Sequence, residues 1–176
     1  MDLAARAAVC IGIISDTHGS IERHILHALE GCDVVVHAGD ILGSDVLRQI
    51  APQSGHVLAV RGNNDTPEQW PAGTQHLLDA LPETLSLALP GGMLVVEHGH
   101  RVHPAHQRHQ KLRLKHPDAR AIVYGHTHWR VIDQTAPIWV LNPGAAGRIR
   151  AHGGASCLIL HATAHEWTVR AVPERA

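Results

Sequence analysis

The chain has 176 residues, which is enough for one domain that buries about 70% of the surface of its unfolded chain, and we predict a single domain over residues 1–176. Its 15 Lys and Arg against 16 Asp and Glu leave a net charge of -1, which excludes the strongly basic surface that attracts nucleic acids or anionic membranes. No apolar run approaches the ~18 to 20 residues that a membrane-spanning helix needs, and the first residues lack the pattern of a secretion signal, so we expect a cytoplasmic protein.

The first third of the chain alternates strands with helices. Its strands are apolar on both faces, which is typical of strands that are covered on both sides. Its helices have apolar residues at helical spacing, and Ser20 is a plausible N-cap for the first of them. The order predicts parallel pairing with right-handed crossovers. We predict strands at 9–14, 33–38 and 56–61, and helices at 20–30 and 43–51.

The rest of the chain is richer in strands. Two prolines and a glycine indicate a loop within 66–80, and a tight turn at 90–92 predicts a hairpin. About ten strands in all favour two packed sheets, so we expect an α/β (α+β) sandwich with helices on its outer faces. We predict a helix at 104–116, and strands at 84–89, 93–97, 120–124, 130–132, 138–141, 155–161 and 165–172.

Five of the predicted strands end in residues that can bind metals. In open α/β sheets the carboxyl ends of the strands are where ligands bind. The chain also has 17 histidines, about four times the usual proportion. The candidate ligands are Asp16, His18, Asp40, Asn63, His98, His126 and His128.

These candidates combine oxygen and nitrogen donors and include no thiolate. That mixture suits a first-row divalent metal better than Ca²⁺ or a structural Zn²⁺. Seven ligands are too many for one ion that keeps a position open for substrate, so two ions that share a carboxylate are the economical interpretation. Such a pair is best suited to phosphate ester hydrolysis. The chain has neither the Gly-rich loop of nucleotide-driven transferases nor the nucleophile elbow of serine hydrolases.

The spacing of these residues resembles a known family. The sequence is similar to the calcineurin-like metallophosphoesterases, and most of all to their small bacterial and archaeal phosphodiesterase branch. The segments that carry the resemblance are Asp16-x-His18, Gly39-Asp40, Gly62-Asn63-x-Asp65, His98-Gly99-His100, Gly125-His126-x-His128 and Asn142-Pro143-Gly144.

The resemblance implies a four-layer αββα sandwich and a dinuclear metal centre. One metal would bind Asp16, His18, Asp40 and His128, and the other would bind Asp40, Asn63, His98 and His126. A hydroxide that bridges the ions would attack phosphorus in line. We expect two divalent transition metal ions, with Mn²⁺ favoured over Fe²⁺, Zn²⁺, Ni²⁺ and Co²⁺.

One position departs from the family pattern. Many members have a histidine directly after the metal-binding asparagine, where this chain has Asn64. An amide can donate a hydrogen bond to a leaving oxygen but cannot supply a proton in the same way. His100 is the nearest substitute acid in the sequence, so Asn64 and His100 are the predicted catalytic residues. Asp65 is interpreted either as a turn residue or as a side chain that orients Asn63 or the substrate loop.

Two classes of function follow. The preferred one is a hydrolase of small phosphodiesters or phosphomonoesters, with a small phosphorylated substrate as partner. The alternative is a non-catalytic scaffold for protein–protein interaction, because the branch also resembles a eukaryotic trafficking subunit that keeps this fold with altered metal motifs. The resemblance favours a dimer or a tetramer. The histidine-rich segment 98–116 is interpreted as a solvated polar helix or as a basic rim for substrate.

Overall fold

The computed structural model describes residues 1–173, so the last three residues of the predicted domain 1–176 lie outside the described residues. The strands are β1 (Ala8–Ile14), β2 (Val34–His37), β3 (Val57–Ala59), β4 (Thr84–Leu89), β5 (Gly92–Glu97), β6 (Ala121–Val123), β7 (Arg130–Asp133), β8 (Trp139–Pro143), β9 (Cys157–Thr163) and β10 (Trp167–Val172). The helices are α1 (Arg23–Leu29), α2 (Ser44–Gln49), α3 (Gln75–Asp79) and α4 (Arg108–Lys115), and a 3-10 helix at Ala105–Gln107 precedes α4.

The strands form two sheets of five strands each. The first has the order β10-β9-β1-β2-β3, in which β1, β2 and β3 are parallel, β9 pairs antiparallel with β1, and β10 pairs antiparallel with β9. The second has the order β4-β5-β6-β8-β7, with a parallel centre and an antiparallel strand at each edge. Both sheets are therefore mixed, and the parallel pairing predicted for the first three strands is confirmed.

The strands are apolar on both faces because successive side chains point to opposite sides of a sheet and both sides are covered. In β1, Ile11 and Ile13 point into the core between the two sheets, whereas Ile14 belongs to the cluster beneath α1. Residues of β5, β6 and β8 divide in the same way between the central core and a cluster beneath α4. Leu29 of α1 and Leu112 of α4 are fully buried in the two outer clusters. The layers are helix, sheet, sheet and helix, which confirms the predicted four-layer αββα sandwich.

The start of α1 differs from the prediction because backbone N–H groups before the helix donate hydrogen bonds to carbonyls of neighbouring loops. Helix α1 begins at Arg23, and its N-cap is Glu22 rather than the predicted Ser20. The backbone N–H of Ser20 donates to the Thr17 carbonyl, and that of Glu22 donates to the Ala146 carbonyl, so these residues are held by neighbouring loops.

Helix α3 lies in a segment that was predicted to be a loop. It has five residues, of which only Leu78 is buried, so it is too short to give a helical hydrophobic pattern. The predicted helix 104–116 also differs, because it begins as the 3-10 helix before α4. Helix α4 has eight residues, and within the described part of the chain no helix has both the length and the apolarity to cross a membrane.

The two sheets are joined at one edge by hydrogen bonds between their loops. In the first sheet, the N–H of Asp16 after β1 donates to the Gly39 carbonyl after β2 at 3.0 Å. In the second, the N–H of Gly125 after β6 donates to the His98 carbonyl after β5 at 3.1 Å. The N–H of His126 crosses between the sheets and donates to the Asp16 carboxylate at 3.0 Å. The loops at the carboxyl ends of these strands are therefore linked across both sheets by hydrogen bonds, and we call them the loop layer.

Candidate metal centre

All seven predicted metal ligands lie in this loop layer. Asp16 and His18 follow β1, Asp40 follows β2, and Asn63 follows β3. His98 follows β5, and His126 and His128 follow β6. Because parallel strands end at the same edge, residues that are more than 100 positions apart in sequence meet there. The structure brings these side chains into two adjoining groups.

The first group consists of Asp16, His18 and His128, whose donor atoms lie within 4.8 Å of one another. The Nε2 atoms of the two histidines are 3.2 Å apart. The Nε2 atom of His128 is also 3.3 Å from Oδ1 of Asp16. Three donors that converge at such distances are suited to a common cation.

The second group is built around the Asn63 side-chain oxygen. This Oδ1 atom lies 3.1 Å from Nε2 of His98 and 2.9 Å from Nδ1 of His126. Asp40 joins the two groups, because its Oδ1 is 3.4 Å from His98 Nε2 and its Oδ2 is 3.8 Å from His18 Nε2. Asp16, Asp40 and His98 also have donor atoms within 4.8 Å of one another, so both carboxylates lie between the groups.

Hydrogen bonds to the outer nitrogens decide which atom of each histidine faces the centre. Nδ1–H of His98 donates to the Ala38 carbonyl at 2.7 Å, and Nδ1–H of His128 donates to the Ile149 carbonyl at 3.0 Å. These bonds commit Nδ1 of each ring as a donor, so each ring would bind a metal through Nε2, which points to the other donors. The arrangement therefore fits divalent metal ions, because acceptor atoms converge with their lone pairs directed inward.

Several of these residues have strained backbones. Five of the predicted ligands adopt the left-handed region with φ between 45° and 66°, which is uncommon outside glycine. Strain of this kind costs about 1–3 kcal/mol for each residue and is kept where the surrounding structure enforces it. The five are Asp16, His18, Asp40, His126 and His128.

Asp65 holds the loop that carries Asp40. It is fully buried, and its carboxylate accepts hydrogen bonds from three consecutive N–H groups that begin at Asp40. It also accepts from the N–H of Gly62 at 2.8 Å and from Nε1 of Trp70 at 2.9 Å. Of the two interpretations of Asp65, the structure favours a positioning side chain, although the loop that it orients is the one before α2.

Asn64 and His100 have different surroundings. The Asn64 side-chain amide donates to Oδ2 of Asp40 at 2.6 Å, and its backbone N–H donates to Oδ1 at 2.8 Å. His100 lies with its ring centroid 6.3 Å from that of His126, and its Nδ1 is a buried atom without a hydrogen-bond partner among the described residues. Asn64 is thus directed at a candidate metal ligand, whereas Nδ1 of His100 is buried and has no partner among the described residues.

Burial and neighbouring charge shift the pKa values of the candidate ligands. Burial raises the pKa of Asp16 to about 7, although His98 and Ser15 oppose the shift. Burial also acts to raise the pKa of Asp40, but hydrogen bonds and the charge of His98 lower it well below its usual range. Burial lowers the pKa of His126 to about 4 and also lowers the pKa of His18. His18 and His126 are therefore neutral at pH 7, as ligation requires.

Glycine at position 125 lets the second-sheet loop approach the first sheet. A Cβ atom on Gly125 would overlap Oγ of Ser15 and would lie 2.8 Å from the Asp16 carboxylate. The Asn142 side-chain amide holds the same loop, because it donates to the Gly125 carbonyl at 2.8 Å and to Oγ1 of Thr127 at 3.1 Å. Asn142 therefore orients the His126 loop.

The sequence analysis missed two residues that support or border the site. His37 is fully buried, its Nδ1 accepts from the Gly39 N–H at 3.2 Å, and its Nε2–H therefore donates to Thr17 Oγ1 at 2.9 Å. Its place at the end of an apolar run was the available signal. Arg150 donates to Nε2 of His128 at 3.4 Å, and no local pattern indicates this contact because 22 positions separate the two residues.

The histidine-rich segment divides between the surface and a half-buried network. His103 and His106 are exposed, as expected for a solvated helix. His109 instead lies 2.7 Å from Oδ2 of Asp133 and 3.1 Å from the hydroxyl of Tyr124, the residue directly before Gly125. One histidine of this segment therefore supports the start of the His126 loop.

A cleft opens beside the second group of ligands. It has a volume of about 310 Å³, and Asn63 lines it together with His100 and two arginines, Arg61 and Arg101. Small-molecule sites are concave and have a few polar groups at fixed positions. Asp65 and Glu83 also line it, and Glu83 pairs with Arg101 at 3.1 Å, so the cleft can admit a small polar molecule to the ligand groups.

Comparison with known proteins agrees with this geometry. The sequence model of the calcineurin-like phosphoesterase superfamily domain matches residues 9–165. A phosphodiesterase from Methanocaldococcus jannaschii is 28% identical over 145 residues, which cover 76% of this chain and 82% of that protein. The solved structure of an archaeal phosphodiesterase superposes with a TM-score of 0.65 at 25% identity and covers 92% of this chain and 99% of that one.

A second solved structure shows the fold alone. A single mutant of Vps29 from Entamoeba histolytica superposes with a TM-score of 0.75 at 20% identity, over 92% of this chain and 91% of that one. The overlap confirms that two mixed sheets with outer helices are the architecture of this chain. At this identity the likeness carries no information about activity.

Proposed function

This chain belongs to the calcineurin-like phosphoesterase superfamily, and from that premise we propose that it hydrolyses small phosphodiesters at a dinuclear metal centre. The observation that carries the proposal is the position of Asp40 between two groups of inward-facing donors. Two divalent ions bound there would supply a water of lowered pKa and would neutralise charge on the phosphate. We favour Mn²⁺ among the first-row divalent metals that a mixture of oxygen and imidazole donors suits.

The ligands divide between the ions by the distances given above. Asp16, His18 and His128 would hold one ion, and Asn63, His98 and His126 would hold the other. Asp40 would contact both through its two oxygens, which face His98 and His18 respectively. Carboxylates that remain ionised at neutral pH are suited to this role, and the low pKa of Asp40 supports it.

Other residues of the chain position the reacting groups. Asn64 holds the Asp40 carboxylate through its side chain and its backbone N–H. His100 borders the cleft beside Asn63, so it would donate a hydrogen bond or a proton to the leaving oxygen. If so, His100→Gln should slow hydrolysis of an ester with a poor alkyl leaving group more than that of a nitrophenyl ester. An equal effect on both esters would contradict that role.

The preference for diesters rests on the relatives. The phosphodiesterase of Methanocaldococcus jannaschii and the archaeal phosphodiesterase structure both carry that activity in their names. The scaffold alternative is not favoured, because all seven candidate ligands are present and converge.

The test is hydrolysis of bis(p-nitrophenyl) phosphate and of p-nitrophenyl phosphate, with Mn²⁺ or with a chelator. We expect turnover that requires metal and is faster with the diester. Asp40→Asn should abolish it, because the carboxylate that joins the two ligand groups loses its charge. Asp118→Asn is the matched control, since Asp118 is exposed, and it should keep full activity. No turnover of either ester with any divalent ion would favour the scaffold.

A further inference from the structure

An exposed tryptophan lies beside the candidate metal centre. Trp129 follows the candidate ligand His128 directly, and 55% of its surface is exposed. By contrast, Trp70 and Trp167 are only 4% and 3% exposed. Both buried rings also use Nε1 as a hydrogen-bond donor, to Asp65 and to the Pro90 carbonyl respectively. Core packing therefore explains those two tryptophans but does not explain Trp129.

Trp129 is stacked with a second exposed ring. His152 stacks on it with the ring centroids 4.3 Å apart and the planes inclined by 4°. We call these two rings the aromatic platform. The two rings cover one face of each other, yet Trp129 is 55% exposed and His152 is exposed as well, and every nucleobase or aryl group has a π-face that can pack on such a ring.

The segment that carries His152 also contacts the metal ligand. The Ile149 carbonyl accepts from Nδ1–H of His128 at 3.0 Å, and this bond orients the ring. The next residue, Arg150, adopts the left-handed region with φ of 51° and donates to Nε2 of the same ring at 3.4 Å. The segment therefore brings a guanidinium to the candidate ligand His128 and an aromatic ring to the residue that follows it.

The chemistry of Arg150 indicates what this side of the centre binds. An ion held by His128 uses the Nε2 lone pair, so the guanidinium must then donate to another acceptor within reach. A guanidinium matches the oxygens of a phosphate, to which it can donate two parallel hydrogen bonds. A phosphate at the centre would thus have Arg150 on one side and the aromatic platform one residue beyond His128.

We propose that the aromatic platform, Trp129 and His152, is the subsite for a planar aromatic group carried by an alcohol that is esterified to the substrate phosphate, and that Arg150 binds that phosphate. The inference rests on the proposed function and narrows it to diesters that carry a nucleobase or another aromatic ring. The low aromatic content of the chain does not conflict with this subsite, since one platform stacks one ring and does not bind a long nucleic acid.

The experiment measures product binding by calorimetry with the full chain loaded with Mn²⁺. The two ligands are adenosine 5′-monophosphate and ribose 5-phosphate, which share the phosphate and the sugar and differ by the base. We expect the dissociation constant of the nucleotide to be lower by on the order of tenfold, as stacking of one base on an aromatic ring provides. Trp129→Ala should reduce this ratio to about one, and Trp129→Phe should restore most of it.

Two further variants separate the parts of the subsite. Arg150→Gln should weaken both ligands by a similar factor and leave their ratio unchanged, because both carry the phosphate. Leu114→Ala is the matched control, since Leu114 is an apolar side chain of α4 that is 73% exposed, and it should alter neither constant. A nucleotide preference that persists in Trp129→Ala would refute the platform.

The outcomes distinguish this inference from the proposed function. If the native chain hydrolyses diesters but binds both ligands equally, the aromatic subsite is wrong and the phosphodiesterase proposal stands. If the chain neither binds these phosphates nor hydrolyses any ester with divalent metals, the proposed function fails and the subsite fails with it.

Discussion

Replacement of Asp65 by Asn tests how this fold holds its candidate metal ligands. Oδ2 of Asp65 accepts from the backbone N–H groups of Asp40 and Gly62. Oδ1 accepts from the N–H groups of the two residues after Asp40 and from Nε1 of Trp70. An asparagine keeps only one accepting oxygen, so its NH₂ group must face buried donors on the other side.

The cost can be estimated from the donors that lose an acceptor. If the amide oxygen keeps the three donors of Oδ1, the N–H groups of Asp40 and Gly62 are left unsatisfied. Each buried donor without a partner costs about 1–3 kcal/mol, so Asp65→Asn should lower the free energy of unfolding by about 2–6 kcal/mol. The total stability of a typical domain is only about 5–15 kcal/mol, so the change is large. Because the Asp40 loop loses its anchor, metal affinity should also fall by about 10–100-fold.

The assay is urea unfolding of the metal-free chain, followed by calorimetric titration with Mn²⁺. Asp118→Asn makes the same chemical change at an exposed position and should alter stability by less than about 0.5 kcal/mol. A loss below about 1 kcal/mol for Asp65→Asn, with unchanged metal affinity, would refute the role that we assign to this carboxylate.

Three further predictions concern pH, packing and metal. Burial lowers the pKa of His37 to about 4, so as pH falls from about 6.5 to 4 the unfolded chain takes up a proton that the folded chain does not. The stability of the metal-free native chain relative to His37→Asn should therefore fall by about 1.4 kcal/mol per pH unit in that window and stay constant above it. Leu112→Ala should lower the free energy of unfolding by about 2–5 kcal/mol, because Leu112 of α4 is fully buried against the second sheet. Leu114→Ala should change it by less than about 0.5 kcal/mol. Mn²⁺ at a free concentration of about 100 times its dissociation constant should stabilise the native chain by about 2.7 kcal/mol, and a chelator should reverse the effect.

Urea unfolding measures all three. A native chain whose stability follows that of His37→Asn across the whole pH range would contradict a neutral buried imidazole. Similar losses for Leu112→Ala and Leu114→Ala would contradict the packing of α4 on the second sheet. A chain that Mn²⁺ does not stabilise would contradict the metal centre, because an ion that binds only the folded state must raise its stability.

The sequence determined the layers of the fold through local patterns. Apolar runs of strand length, alternating with amphipathic helices in the first third, led to parallel strands, and the count of strands led to two sheets. These inferences held because a strand that is buried on both faces consists of consecutive apolar residues, which can be recognised in the sequence alone. The short helix α3 was missed for the same reason, since five residues with one buried side chain carry too little pattern.

The sequence also selected the candidate ligands, because each follows an apolar strand and the parallel strands of a sheet present their carboxyl ends to one edge. Only the tertiary structure decided what supports them. The five donors that converge on Asp65, the bond from His37 to Thr17 and the contact of Arg150 with His128 all join separate loops. Such contacts depend on how loops from both sheets pack in three dimensions, which local periodicity does not encode. The tertiary fold therefore decides how the candidate ligands are held and which groups border them.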